Sequence, residues 1–137
     1  MTHDQLLQRI ADTLKKEIGP AIEAEYPKTQ AFMAAVVVQK LGRQVGLART
    51  HESAEVADIE SLLVDLSAIV QANAVPARVL DAINIFDNAR TKRDLCMVID
   101  ALYLERGELG ETSFTALLNR VRKTLRASID RQMEYAA

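Results

Sequence analysis

Along nearly the whole chain, apolar residues return every three or four positions, the spacing that gathers them on one face of an α-helix. Leu7, Ile10 or Ala11, Leu14 and Ile18 begin the pattern and predict a helix over residues 3–18. Thr2 and Gln5 have the spacing of a capping box at its start. Gly19-Pro20 closes it, and "AIEAEY" reads as a short helical piece before Pro27. The stretch "AFMAAVVVQKLGRQVGL" follows, and its valines favour a strand on propensity alone. Its periodicity favours a helix, because Ala34, Val38, Leu41, Val45 and Ala48 lie three or four apart and never alternate. This second helix, residues 31–48, is expected to be the most buried element, its other valines widening the apolar face. Gly42 falls on or beside the seam, either for close helix contact or as a tolerated accident.

"LARTHE" reads as a connection, with His51 in it. Ser53 is the expected cap of a third helix over residues 53–72, whose seam is Val56, Ile59, Leu63, Leu66 and Val70. Pro76 opens a shorter helix with Val79, Ile83 and Phe86 on one face, and "DNAR" interrupts it. Thr91 to Asp94 repeats the capping-box spacing ahead of Leu95, Val98, Leu102 and Tyr103. Gly107 ends that helix. The last starts near Thr112 or Ser113 and carries Phe114, Leu117, Val121, Leu125 and Ile129. Short connections imply antiparallel neighbours. The fold class is therefore all-α, an up-and-down bundle of about five helices in a single domain over residues 1–137.

Composition narrows the function classes. Of 137 residues, 49% are apolar and 26% charged, the balance of a folded protein. A net charge of −2 gives no general attraction to nucleic acid or anionic membrane. The N-terminus interleaves acids and bases without a long apolar core, which is unlike a secretory signal. No run approaches the ~20 apolar residues of a membrane span. A cytoplasmic location is expected. Cys96 is the single cysteine and reads as a small buried hydrophobe rather than a catalytic thiol.

Residues 52–66 carry five acids and no base, whereas Arg120, Arg122, Lys123, Arg126 and Arg131 cluster in the last helix with Asp130. The basic set is either an anion site or a solvated face beside an acidic helix. No aromatic residues interleave with it, as single-stranded nucleic acid would require. His51, Glu52, Glu55 and Asp58 lack the Glu-x-x-His pairs of a helical di-metal site. No catalytic, cofactor-binding or metal-binding residues are singled out, and no cofactor is implied.

The segment "LLNRVRKTLRASIDRQMEYA" resembles the C-terminus of a small bacterial family of unknown function. Val121-Arg122-Lys123-Thr124, Ile129-Asp130 and Tyr135 match that family's spacing, with Met133 where proline is usual. "LLQRIADTLKKEIGPAI", "AFMAAVVVQKL" and "LCMVI" ahead of "RGELGE" are similar to its other elements. Ala35 and Gln39 depart from it, standing where the family usually has arginine and asparagine. The resemblance implies an all-helical protein encoded beside, or fused to, kinases of the aminoglycoside-phosphotransferase type, often near acyl-CoA dehydrogenases. The expected function is a non-enzymatic accessory or interaction module for such a kinase or acyl-CoA-processing partner. The alternative is a small enzyme or ligand-binding protein with a pocket between helices, for an anionic ligand. On the last helix, Arg122, Arg126 and Asp130 form a candidate polar face for a partner or a second copy of the chain, with Tyr135 as an amphipathic anchor; otherwise this is a solvated face with a frayed tail.

Overall fold

The computed structural model describes residues 1–136, and every regular element in them is helical. α1 (His3–Thr13) passes through a π-helical turn (Leu14–Ile18) into α2 (Gly19–Ala21). Then come α3 (Glu25–Ala72), α4 (Ala77–Ala89), α5 (Lys92–Leu104), α6 (Arg106–Leu109) and α7 (Glu111–Ala136). With residues 3–21 counted as one run, the described residues hold six helices rather than about five. The chain is all-α, as its periodicity implies, and short connections link successive helices in up-and-down order.

Several ends are where local signals put them. The expected capping box opens α1, with the Thr2 backbone N–H donating to Gln5 Oε1 at 3.1 Å. Thr91 Oγ1 accepts from the Asp94 backbone N–H at 3.1 Å, capping α5. Pro76 sits at the cap of α4. The first helix runs beyond its expected stop: the Gly19 N–H reaches back to the Leu14 carbonyl, and this wider turn precedes Pro20, which has no N–H to donate. Arg90 closes α4 in the left-handed region at φ 55°, where glycine is usual. Gly110, at φ 80°, joins α6 to α7 in a conformation that side chains strain to adopt. Arg106 bridges that joint with two bonds to Glu111, at 2.8 and 3.0 Å, and holds the Glu111 carboxyl below its usual range.

The largest departure from expectation is α3. Residues 31–48 and 53–72 are parts of one helix of 48 residues. "LARTHE" is helical, and His51 is a buried helical residue rather than a loop residue. The segment contains no glycine or proline after Gly46, so Ser53 does not act as a cap. Read from its length as one domain, the chain divides into two compact units: Met1–Ser53 together with the end of α7 from Arg131, and Ala54–Asp130.

The second unit has a core of large side chains. Leu62 and Leu66 of α3 join Val79 and Phe86 of α4, Leu95, Val98 and Leu102 of α5, and Phe114, Leu117 and Val121 of α7. Each such side chain stabilises the fold by roughly 1.5–3 kcal/mol through burial. Val79, Phe86, Leu95, Val98 and Leu102 confirm the expected faces of α4 and α5. The α3 seam is displaced. Leu62 is fully buried and Val56 half exposed, so the stripe that faces the core is Ile59, Leu62, Leu66 and Ile69. This stripe is about 60° around the helix from the expected one. Cys96, Tyr103 and Ile129, expected inside, are exposed because their neighbours Leu95, Leu102 and Ser128 take the inward positions.

The first unit is built differently. Ala11 and Ala35 are its buried apolar residues, with Gly19 and Gly42 buried beside them. A Cβ on Gly42 would stand 3.2 Å from Leu7 Cβ and 3.4 Å from the Asp4 carbonyl oxygen, so the glycine serves close helix contact. The expectation that residues 31–48 are the most buried is therefore wrong. Val36, Val37, Leu41 and Val45 are half exposed, because α1 and α3 meet through small residues and the large ones are turned away.

Truncation of Leu66 to alanine is expected to cost about 2–5 kcal/mol. Leu63, only partly buried, should cost clearly less when truncated. Urea denaturation of the two variants checks the order, and equal losses would place the seam back on the expected stripe.

Candidate functional site

α4 and α5 form a hairpin in the second unit, with a groove of about 860 Å3 along one side. Ala82 and Ala101, both buried, form its floor. Ile85, Met97 and Leu104 project over that floor and are each more than half exposed. Helical spacing explains the arrangement. The inward faces of α4 and α5 are taken by Val79, Phe86, Val98 and Leu102, so the apolar residues one or two positions away, Ile85, Met97 and Leu104, turn to the groove. The rim carries Asp81, Asp94 and Asp100 against Arg78 and Arg93. Arg78 Nε already lies 3.4 Å from Glu105, which leaves the rim acidic. An apolar floor of this length within an acidic rim suits the apolar face of a helix flanked by basic residues.

The expected face of the last helix is divided. Arg122, Arg126 and Asp130 are exposed in the second unit, and Arg122 donates to the Tyr103 hydroxyl at 3.1 Å. Tyr135 belongs to the first unit and is half-buried there. Its ring meets His51 edge-to-face, with centroids 4.7 Å apart. His51 Nε2 lies 2.9 Å from Glu134 Oε2. A carboxylate only accepts, so Nε2 carries the hydrogen and donates. His51 Nδ1 is buried without a hydrogen-bond partner among the described residues. The Gln44 side chain also donates to the Tyr135 carbonyl, at 3.4 Å. Of the basic set, Arg120 pairs with Asp65 at 2.6 Å and donates to Thr124 at 2.8 Å. This acid–base contact joins α3 to α7 within the second unit, with the Arg120 side chain largely buried.

The first unit also holds a cleft of about 780 Å3 between α1 and α3. Gln5, Gln8, Gln39, Lys40 and Arg43 line it, together with Val36 and Leu47 and with Asp4 and Tyr135. The Thr2 hydroxyl donates to Asp4 and holds that carboxyl below its usual range. Among the described residues, no three His, Cys, Asp or Glu side chains are placed to hold a metal ion, and no helix is long and apolar enough to cross a membrane.

Comparison with known proteins gives no match: no family model, no curated protein and no solved structure resembles the chain significantly.

Sequence reasoning missed the α4–α5 groove and the His51 contacts. Ile85, Met97 and Leu104 are apolar residues left off the helical seams, and that surplus is the signal that marks a groove. His51 is different. Its partners Glu134 and Tyr135 lie more than 80 residues away in the chain, and no local spacing shows such a pair.

Replacing Tyr135 by alanine is expected to cost about 1 kcal/mol from the lost ring contact. Glu134→Gln should cost about 0.5 kcal/mol or less, since Glu134 is largely exposed and glutamine can still accept. Hydrogen exchange checks this: both variants should speed exchange around His51 and in the last turn of α7, while amides around Leu66 keep their protection.

Proposed function

We propose that the protein is a non-enzymatic interaction module that captures a helix of a larger partner enzyme in the α4–α5 groove. The observation that supports this most strongly is the groove itself, with Ile85, Met97 and Leu104 uncovered over a buried alanine floor inside an acidic rim. Its occupant is an amphipathic helix whose apolar face covers these side chains and whose lysines or arginines meet Asp81, Asp94 and Asp100. The family resemblance supplies the partner class, a phosphotransferase-type kinase or an acyl-CoA-processing enzyme. The exposed Arg122, Arg126 and Asp130 stripe lies in the same unit and offers polar contacts to the same partner.

A second reading draws on the cleft of the first unit. Lys40 and Arg43, with Gln8 and Gln39, present donors to an anionic small molecule, and the volume suits a ligand of nucleotide size.

Affinity purification of the full chain from its own host cells tests the first reading. Ile85→Asp with Met97→Asp changes exposed positions, so the melting temperature should hold. The wild type should retain a kinase or acyl-CoA enzyme, and the double variant should lose at least about tenfold of it, on the order of 1.4 kcal/mol. Equal capture by both proteins overturns the groove. Capture of neither class, with a saturable thermal shift by a nucleotide or acyl-CoA, favours the ligand reading, because a ligand stabilises the native state by mass action.

A further inference from the structure

The α1–α3 hairpin leaves one of its sides apolar and uncovered. Leu6, Ile10, Val37, Leu41 and Val45 are each 42–57 % exposed. The hairpin is antiparallel: Gly46 lies against Asp4, Gly42 against Leu7 and Gln8, and Gly19 against Phe32. At about 100° per residue from that contact line, Leu6 and Ile10 of α1 turn to the same side as Leu41 and Val45 of α3. The cleft lined by Gln5, Gln8, Gln39 and Arg43, together with Val36 and Leu47, takes the opposite side. The two helices thus form a layer with one side of mixed polarity and one apolar side.

Along α3 the apolar stripe is matched at four and at seven residues to either side of Leu41, whereas at three residues Val38 stands opposite Gln44. Valines stand four residues to either side, Val37 and Val45, and alanines seven to either side, Ala34 and Ala48. Both alanines are exposed. No charged residue falls on this stripe. In an isologous contact the same patch must fit itself, and a two-fold axis through one residue brings together positions equally far to either side of it. With the axis through Leu41, Val37 meets Val45 of a second copy and Ala34 meets its Ala48. The small residues at both ends let the two helices come close. An uncharged stripe gives nothing to an acidic peptide or a nucleic acid, and it faces itself without repulsion.

The area agrees. The five uncovered side chains leave on the order of 400 Å2 of apolar surface per chain. Two such faces with their polar rims bury roughly 1,200 Å2 or more, the range of a specific dimer.

We infer that a second copy of this chain covers the face, and that α1 and the first half of α3 from two chains form an antiparallel four-helix layer. The inference uses the first unit alone and is independent of the α4–α5 groove.

Sedimentation velocity of the full chain from about 1 to 100 μM tests it, across the affinity range of small interfaces. The wild type should sediment at twice the mass of one chain. Leu41→Asp places two carboxylates at the axis and should raise the dimer dissociation constant at least about a hundredfold, with helix content unchanged. A second experiment reads the register. In a Cys96→Ser background, Leu41→Cys should cross-link to itself with a short bismaleimide, and Val37→Cys alone should not. Val37→Cys combined with Val45→Cys should cross-link again. A monomer at every concentration overturns the proposal. So does a dimer that survives Leu41→Asp, or self-linking of Val37→Cys that exceeds that of Leu41→Cys. A monomer in which Leu41→Asp abolishes the capture of some other protein also overturns it, and assigns the face to that protein. None of these results bears on capture by the groove, which Ile85 and Met97 report.

Discussion

Between Gly46 and Pro76 the chain holds neither glycine nor proline, and α3 runs unbroken through the place where a connection was expected. Its 48 residues serve both compact units. The first half of the helix packs on α1, and the second half supplies Leu62 and Leu66 to the core formed with α4, α5 and α7. Residues 31–48 form a two-helix layer with α1.

The two units are stabilised by different physics. In the second, large aliphatic and aromatic side chains are removed from water completely, and area burial dominates. In the first, alanine and glycine allow backbones to approach, and dispersion between closely spaced helices replaces much of the area term. The first unit therefore depends more on its attachments. The Gly42 contact, Phe32 against Gly19, and the ring of Tyr135 on His51 each hold a helix whose own apolar burial is small.

The same difference explains where the interaction surfaces lie. Apolar residues surplus to a helical seam must go somewhere. On α4 and α5 they form the groove over Ala82 and Ala101. On α1 and α3 they form the stripe centred on Leu41. Both surfaces pair small residues with uncovered large ones, a relief into which another helix can set its side chains. Some polar groups, by contrast, are engaged with one another, as in the Arg120–Asp65 and Arg106–Glu111 pairs.

The sequence by itself determined that the chain is helical and where α4 and α5 begin, since spacing of three and four, Pro76 and Thr91–Asp94 capping act within a few residues of each other; it did not determine that α3 is continuous. It also determined the inward faces of α4, α5 and most of α7, where a single narrow apolar stripe leaves one orientation available. Tertiary structure decided the rest. On α3, apolar residues cover more than half the circumference in places, so Leu62 or Leu63 could equally face inward, and the positions of α4 and α7 made the choice. For residues 31–48 the choice went to Ala35 and Gly42, because a close approach of α1 gained more from small residues than from valines. The candidate sites were the least legible part. A groove is a relation between two helices, and the His51 contacts join residues distant in the chain, so neither exists until the helices have packed.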